Sequence, residues 1–188
     1  MLTGPVSTGR HEDHVDAIRR ACDWLGITHG RAAAYANLMT QFFKTTSRTE
    51  EQLLAYNESC EIVDIFELWS RHADEFPRLR ERLRDVCRKG PTLRESEKPV
   101  ASSNRPPNDA FVYLLGGTFL TAKVSVVAVD GICRKDLRGQ SVADLTLSWA
   151  STCIDVECKR PQTASSVIPR MREARGQLED PARHEGRQ

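Results

Sequence analysis

The stretch Ala143-Asp144-Leu145-Thr146-Leu147-Ser148-Trp149-Ala150-Ser151-Thr152-Cys153-Ile154-Asp155-Val156-Glu157-Cys158-Lys159-Arg160-Pro161 decides how the rest of the chain is read. Successive strand side chains face opposite sides, so Leu145, Leu147 and Trp149 share one face and Asp144, Thr146 and Ser148 the other. On the second arm Ile154, Val156 and Cys158 form the apolar set, leaving Asp155, Glu157 and Lys159 opposite. The pattern predicts a β-hairpin with a charged face. Arms paired around a loop at Ala150 to Cys153 place Asp144 opposite Lys159. Glu157 then stands one diagonal step away, with about 5 to 8 Å between Cβ atoms. Ala-Ser-Thr-Cys carries no Asn-Gly or Asp-Gly signal to fix the turn, so only the matching of like faces is required.

Two carboxylates beside an amine have two readings. One is a cross-strand salt bridge on a solvated sheet face. The other is a divalent-metal site, because oxygen ligands from Asp144 and Glu157 suit Mg²⁺ or Mn²⁺, which take one or two carboxylates and otherwise keep water or substrate phosphate. Lys159 then sits beside the ion.

An aspartate, a short hairpin and then Glu157-Cys158-Lys159 followed by Arg160-Pro161 resembles the core of the PD-(D/E)XK nuclease superfamily, the restriction-endonuclease-like fold. The resemblance implies that Asp144, Glu157 and Lys159 are catalytic. Asp144 and Glu157 would hold Mg²⁺ or Mn²⁺, the backbone carbonyl of Cys158 would add a metal ligand, and Lys159 would position or activate water. It also implies DNA as the partner and hydrolysis of phosphodiester bonds as the reaction. The order continues as in the family, with a polar loop from Gln162 to Ser166 and then a helix. Val167, Ile168, Met171, Ala174 and Leu178 line one side of that helix, and Arg170, Arg172, Arg175 and Gln177 the other. Family helices at this place often end in Ala-x-x-Gln-Leu, here Ala174 to Leu178, which makes Gln177 an accessory candidate; the competing reading is a solvated helix residue.

Two departures from the family pattern stand beside the match. Many relatives carry a glutamate in the first core helix in a setting like Ala-Phe-Glu, whereas Ala110-Phe111 is followed here by Val112; Asp109 is the candidate replacement. The family core also adds a strand after the last helix, where this chain has Glu179 to Gln188. The resemblance therefore implies either a shortened core or a partner, which can be a second copy, that completes the sheet edge.

Within 188 residues there is room for one or two small domains. Residues 1–107 hold 16 Lys and Arg against 16 Asp and Glu, and residues 108–188 hold 11 against 10, so neither half is broadly basic. A nucleic acid would have to be held by a local patch, for which Lys159, Arg160, Arg170, Arg172 and Arg175 are available. The six cysteines form no Cys-x-x-Cys pair and read as thiols in a reducing cytoplasm. No apolar run approaches the roughly 20 residues that span a bilayer.

In chain order, Val15, Ile18, Cys22 and Leu25 predict a helix from His11 to Leu25, with Gly26 as its stop. A second helix follows Gly30. Thr49-Glu50-Glu51-Gln52 is a capping-box sequence that starts a third, which continues or breaks near Asn57 and runs to His72. Pro77 opens a fourth with Leu79, Leu83, Val86 and Cys87 inward. Arg78, Arg80, Arg82, Arg84 and Arg88 lie on its outer face among Glu81 and Asp85, read as a salt-bridged solvated surface in preference to a phosphate contact. Asn108 caps a further helix, and Lys123 to Val129 predicts a strand ended by Asp130-Gly131.

The reading is thus an α+β chain: a helical domain over 1–89, a linker over 90–107 rich in proline, and over 108–188 a partial restriction-endonuclease-like αβββα core. The function expected is a metal-dependent DNA nuclease in the cytoplasm. Two alternatives stay open: a catalytically inactive scaffold of the same kind that binds nucleic acid or a protein, and a helical interaction protein with a structural hairpin.

Overall fold

The computed structural model describes residues 11–45, 47–90, 92, 105–136, 143–150, 152–158, 167–169, 171–172 and 175–176. The first helix, α1 (His11–Leu25), buries Val15, Ile18, Cys22 and Leu25 along one stripe. Gly26 follows at φ 67°, a left-handed conformation suited to a helix stop. Helix α2 spans Arg31–Phe42. The expected capping box opens α3 (Glu50–Trp69): Gln52 N–H donates to Thr49 Oγ1 at 3.2 Å, and Thr49 N–H donates to Gln52 Oε1 at 3.0 Å. This helix runs through Asn57 unbroken and stops at Trp69, short of His72. A 3-10 turn at Ala73–Glu75 leads to α4 (Leu79–Arg88), whose Leu79, Leu83, Val86 and Cys87 are buried as expected.

Helix α5 (Arg105–Thr121) begins inside the stretch expected to be linker, and Asn108 lies within it and is not its cap. Arg105-Pro106-Pro107 supplies the first turn, where N–H groups lack intrahelical partners and proline is tolerated. The chain then builds β1 (Ser125–Val129), β2 (Ile132–Cys133), β3 (Leu145–Trp149) and β4 (Thr152–Val156). They form an antiparallel sheet in the order β2-β1-β3-β4. The α+β class is therefore observed. The two-residue β2 was not anticipated; Asp130 at φ 48° and Gly131 at φ 73° make the tight turn that folds it back on β1.

Helix α5 touches α3 and α4 as well as β1, and carries one continuous apolar core from Ile18 and Leu25 through Trp69 and Tyr113 to Val126, Val129, Leu145 and Leu147. Close approach requires glycine here: a Cβ on Gly117 would lie 2.6 Å from the Leu68 Cβ. Beside it Trp69 Nε1 donates to the Tyr113 carbonyl at 2.8 Å. A shift of register between Val126 and Ala128 marks a bulge in β1. It lets Val126 and Val129, three apart, both face Leu147 and Leu145.

Candidate active site

The hairpin is observed with its faces as read and its register changed. Leu145 pairs with Val156, Leu147 with Ile154 and Trp149 with Thr152, so only two residues separate the arms. Ala150 at φ 47° begins that turn in the left-handed region that two-residue hairpin loops use. The expected four-residue loop and the placement of Asp144 opposite Lys159 are both corrected. Continued one step beyond the last pair, Leu145 with Val156, this register puts Asp144 level with Glu157 instead. The slip is of two residues, which preserves the side-chain faces.

Two hydrogen bonds set the position of Asp144. The Cys158 N–H donates to its Oδ2 at 2.7 Å, drawing the start of the Glu157-Cys158-Lys159 segment to the β3 end. The Asp130 N–H donates to the Asp144 carbonyl at 2.8 Å, tying that end to β1. Asp144, Glu157 and Cys158 are all half-buried. Next along the same face, Thr146 Oγ1 donates to Asp155 Oδ1 at 2.9 Å. This face therefore presents Asp144, Asp155 and Glu157 around a buried Thr146.

Behind the site, Asp130 is held by groups that the sequence reading did not single out. Tyr113 donates its hydroxyl to Asp130 Oδ2 at 2.7 Å, and Arg82 of α4 donates to the same oxygen. Burial, and then the Asp130 charge, push the Tyr113 phenol well above its ordinary pKa. The hydrogen bond to Asp130 likewise raises that of Arg82. A tyrosine on the core side of α5 was the available signal, because a buried phenol needs a partner for its hydroxyl.

The structure brings together Asp144, Glu157 and Cys158. Asp109 sits half-buried on α5. Lys159, Arg160, Arg170 and Gln177 lie outside the described residues. In the last helical segment Val167, Ile168 and Met171 are exposed, so the apolar stripe read from the sequence faces outward there. No disulfide joins the six cysteines. Among the described residues no helix is long and apolar enough to cross a membrane.

No protein-family model, curated protein or solved structure matches this chain. Among those described, no group of three or more His, Cys, Asp or Glu is disposed to hold a metal ion. Two carboxylates suffice for Mg²⁺ or Mn²⁺, which fill the remaining positions with water and phosphate oxygens. Asp144 fits that role, since Oδ2 is engaged by the Cys158 amide and Oδ1 takes no hydrogen bond from a described residue.

Proposed function

We propose that the chain is a metal-dependent nuclease hydrolysing phosphodiester bonds in DNA, with a restriction-endonuclease-like core in its C-terminal half. The single observation that carries the reading is the hydrogen bond from Cys158 N–H to Asp144 Oδ2, which joins the aspartate to the Glu-x-Lys segment 14 residues on. The order of α5, β1, β3 and β4 also agrees with the helix, strand and hairpin of that core.

In this mechanism Asp144 and Glu157 offer two hard oxygens at adjacent positions of the hairpin. The Cys158 amide holds the Asp144 carboxylate in one orientation, so little reorganisation is needed when a cation arrives. Mg²⁺ or Mn²⁺ supplies Lewis acidity to a phosphate oxygen and lowers the pKa of bound water. Lys159 orients the nucleophile, and Arg160 and Arg170 contact the DNA backbone. Asp109 and Gln177 are the accessory candidates.

A second reading, an inactive scaffold, is favoured by the same hydrogen bond seen as a purely structural latch. The isosteric variant D144N separates the two, because an amide oxygen still accepts the Cys158 N–H but is a poor Mg²⁺ ligand. For the nuclease, D144N and K159A keep the fold and lower Mg²⁺-dependent cleavage of linear and plasmid DNA by about 100-fold or more. For the latch, D144N changes nothing while D144A destabilises the hairpin. A wild-type protein that binds Mn²⁺ normally and cuts no DNA overturns the nuclease reading.

A further inference from the structure

The outer face of α4 was expected to be a salt-bridged surface, and part of it is. Arg82 pairs with Asp130, while Arg88 and Lys89 both pair with Asp85. Arg80 and Arg84 behave differently, because they reach back to the last carbonyls of α1: Arg80 donates to Trp24 O and Arg84 to Leu25 O. Cations there complement the negative end of the α1 dipole. The two guanidinium groups are thereby fixed in place, and neither forms an ion pair with a carboxylate among the described residues.

They form one wall of an open cleft of about 470 Å³ whose charged lining is Arg78, Arg80, Arg84 and Lys135 against Asp74 and Glu81. The local charge is thus positive in a chain whose formal net charge is only +1. Among the described residues the side chains of Arg78 and Lys135 have no hydrogen-bond or ion-pair partner, in contrast to Arg82, Arg88 and Lys89. Both are anchored through the backbone: Lys135 N–H donates to Glu75 O at 2.8 Å, and the Arg78 carbonyl accepts from Glu81 and Arg82 N–H at 3.1 Å. Arg78 also stands at φ 63°, a left-handed position that is unfavourable for a residue with a Cβ. A strained backbone presenting an unpaired cation into a cleft already lined by two fixed guanidinium groups is an arrangement for receiving an anion.

We infer that this cleft, between the turn entering α4 and the end of β2, is a second binding site that takes a phosphate group, with Arg78 and Lys135 as its closing cations. It is built from other residues than Asp144 and Glu157 and stands whether or not the chain cleaves DNA. The same chemistry is offered by a free phosphate or nucleotide and by a polynucleotide backbone.

The test uses the full chain and two double variants. R78Q/K135Q removes the closing cations, and R20Q/K44Q removes the same charge from exposed positions outside the cleft. Inorganic phosphate is titrated by calorimetry, and a labelled single-stranded oligonucleotide by anisotropy. Wild type and R20Q/K44Q bind phosphate alike, whereas R78Q/K135Q binds it about tenfold or more weakly with an unchanged melting temperature. If a polynucleotide is the source, R78Q/K135Q also weakens oligonucleotide binding and lowers its dependence of log K on log salt by about 1.5. If the source is a small phosphate, oligonucleotide binding is unaffected by the variant. Equal weakening by both double variants, or no phosphate binding by the wild type, overturns the proposal.

Discussion

Arg82 on α4 donates two hydrogen bonds, of 3.1 and 2.6 Å, to one oxygen of Asp130 at the turn between β1 and β2. That turn, through its Asp130 amide, also fixes the carbonyl of Asp144. A residue of the helical half thus bears on the geometry of the hairpin through one carboxylate. D130A removes the partner of the buried Tyr113 hydroxyl and of Arg82 together, and is expected to cost about 1–3 kcal/mol. D130N keeps an acceptor and tolerates the left-handed backbone, so it costs less. Urea unfolding midpoints at constant m-value measure both.

Gly117 is predicted to be the least replaceable glycine in the described helices. A methyl group there meets Leu68 Cβ at 2.6 Å, so α3 and α5 must separate, at a cost of about 1–3 kcal/mol. Gly176 is the control, since a Cβ there meets nothing within 4 Å. Thermal melts should place G117A well below wild type and G176A at or slightly above it.

Arg31 is buried on α2 and pairs with Glu58 of α3 at 3.3 Å, and its other terminal nitrogen donates to Val86 O at 2.8 Å. Replacing Glu58 by alanine leaves a buried guanidinium without its carboxylate, and unfolding should become easier by about 3–5 kcal/mol. The double variant R31M/E58L, apolar on both sides, is expected to recover most of that loss in the same denaturation experiment.

His14 is a pH-dependent element. Its Nε2 lies 2.8 Å from Ser59 Oγ, which itself donates to Tyr56 O, so the imidazole is the donor. Burial lowers its pKa below the ordinary 6.5. At higher pH both folded and unfolded chains carry it neutral. As pH falls below 6.5 the unfolded chain takes up the proton first, and stability declines until the folded state's own lower pKa is passed. Wild type should therefore lose unfolding free energy between about pH 7 and 5 relative to H14Q, which lacks that titration.

The helices were legible because each has a buried stripe at helical spacing, such as Ile62, Ile65 and Trp69 on α3, or a local stop and start signal such as Gly26 and the Thr49 box. The faces of the hairpin were legible because alternation survives any even slip of register. Its turn was not. Ala150 takes a left-handed conformation without being the glycine or asparagine that announces one, and with the turn went the partner of Asp144. On α4, interspersed acids suggested pairing throughout, yet Arg80 and Arg84 bond carbonyls 56 and 59 residues away along the chain.

The sequence by itself determined the α+β class, the places of the principal elements and the side of the hairpin on which Asp144, Asp155 and Glu157 lie, because periodicity and capping act within a few residues. Only the tertiary structure decided that the Cys158 amide bonds Asp144, that Arg82 of α4 braces the Asp130 turn tied to that residue, and that Arg78 and Lys135 share a cleft. Those relations join groups brought together by the packing of α5 between helices and sheet, where contact follows from space filled and polar groups satisfied, and no spacing along the chain records it.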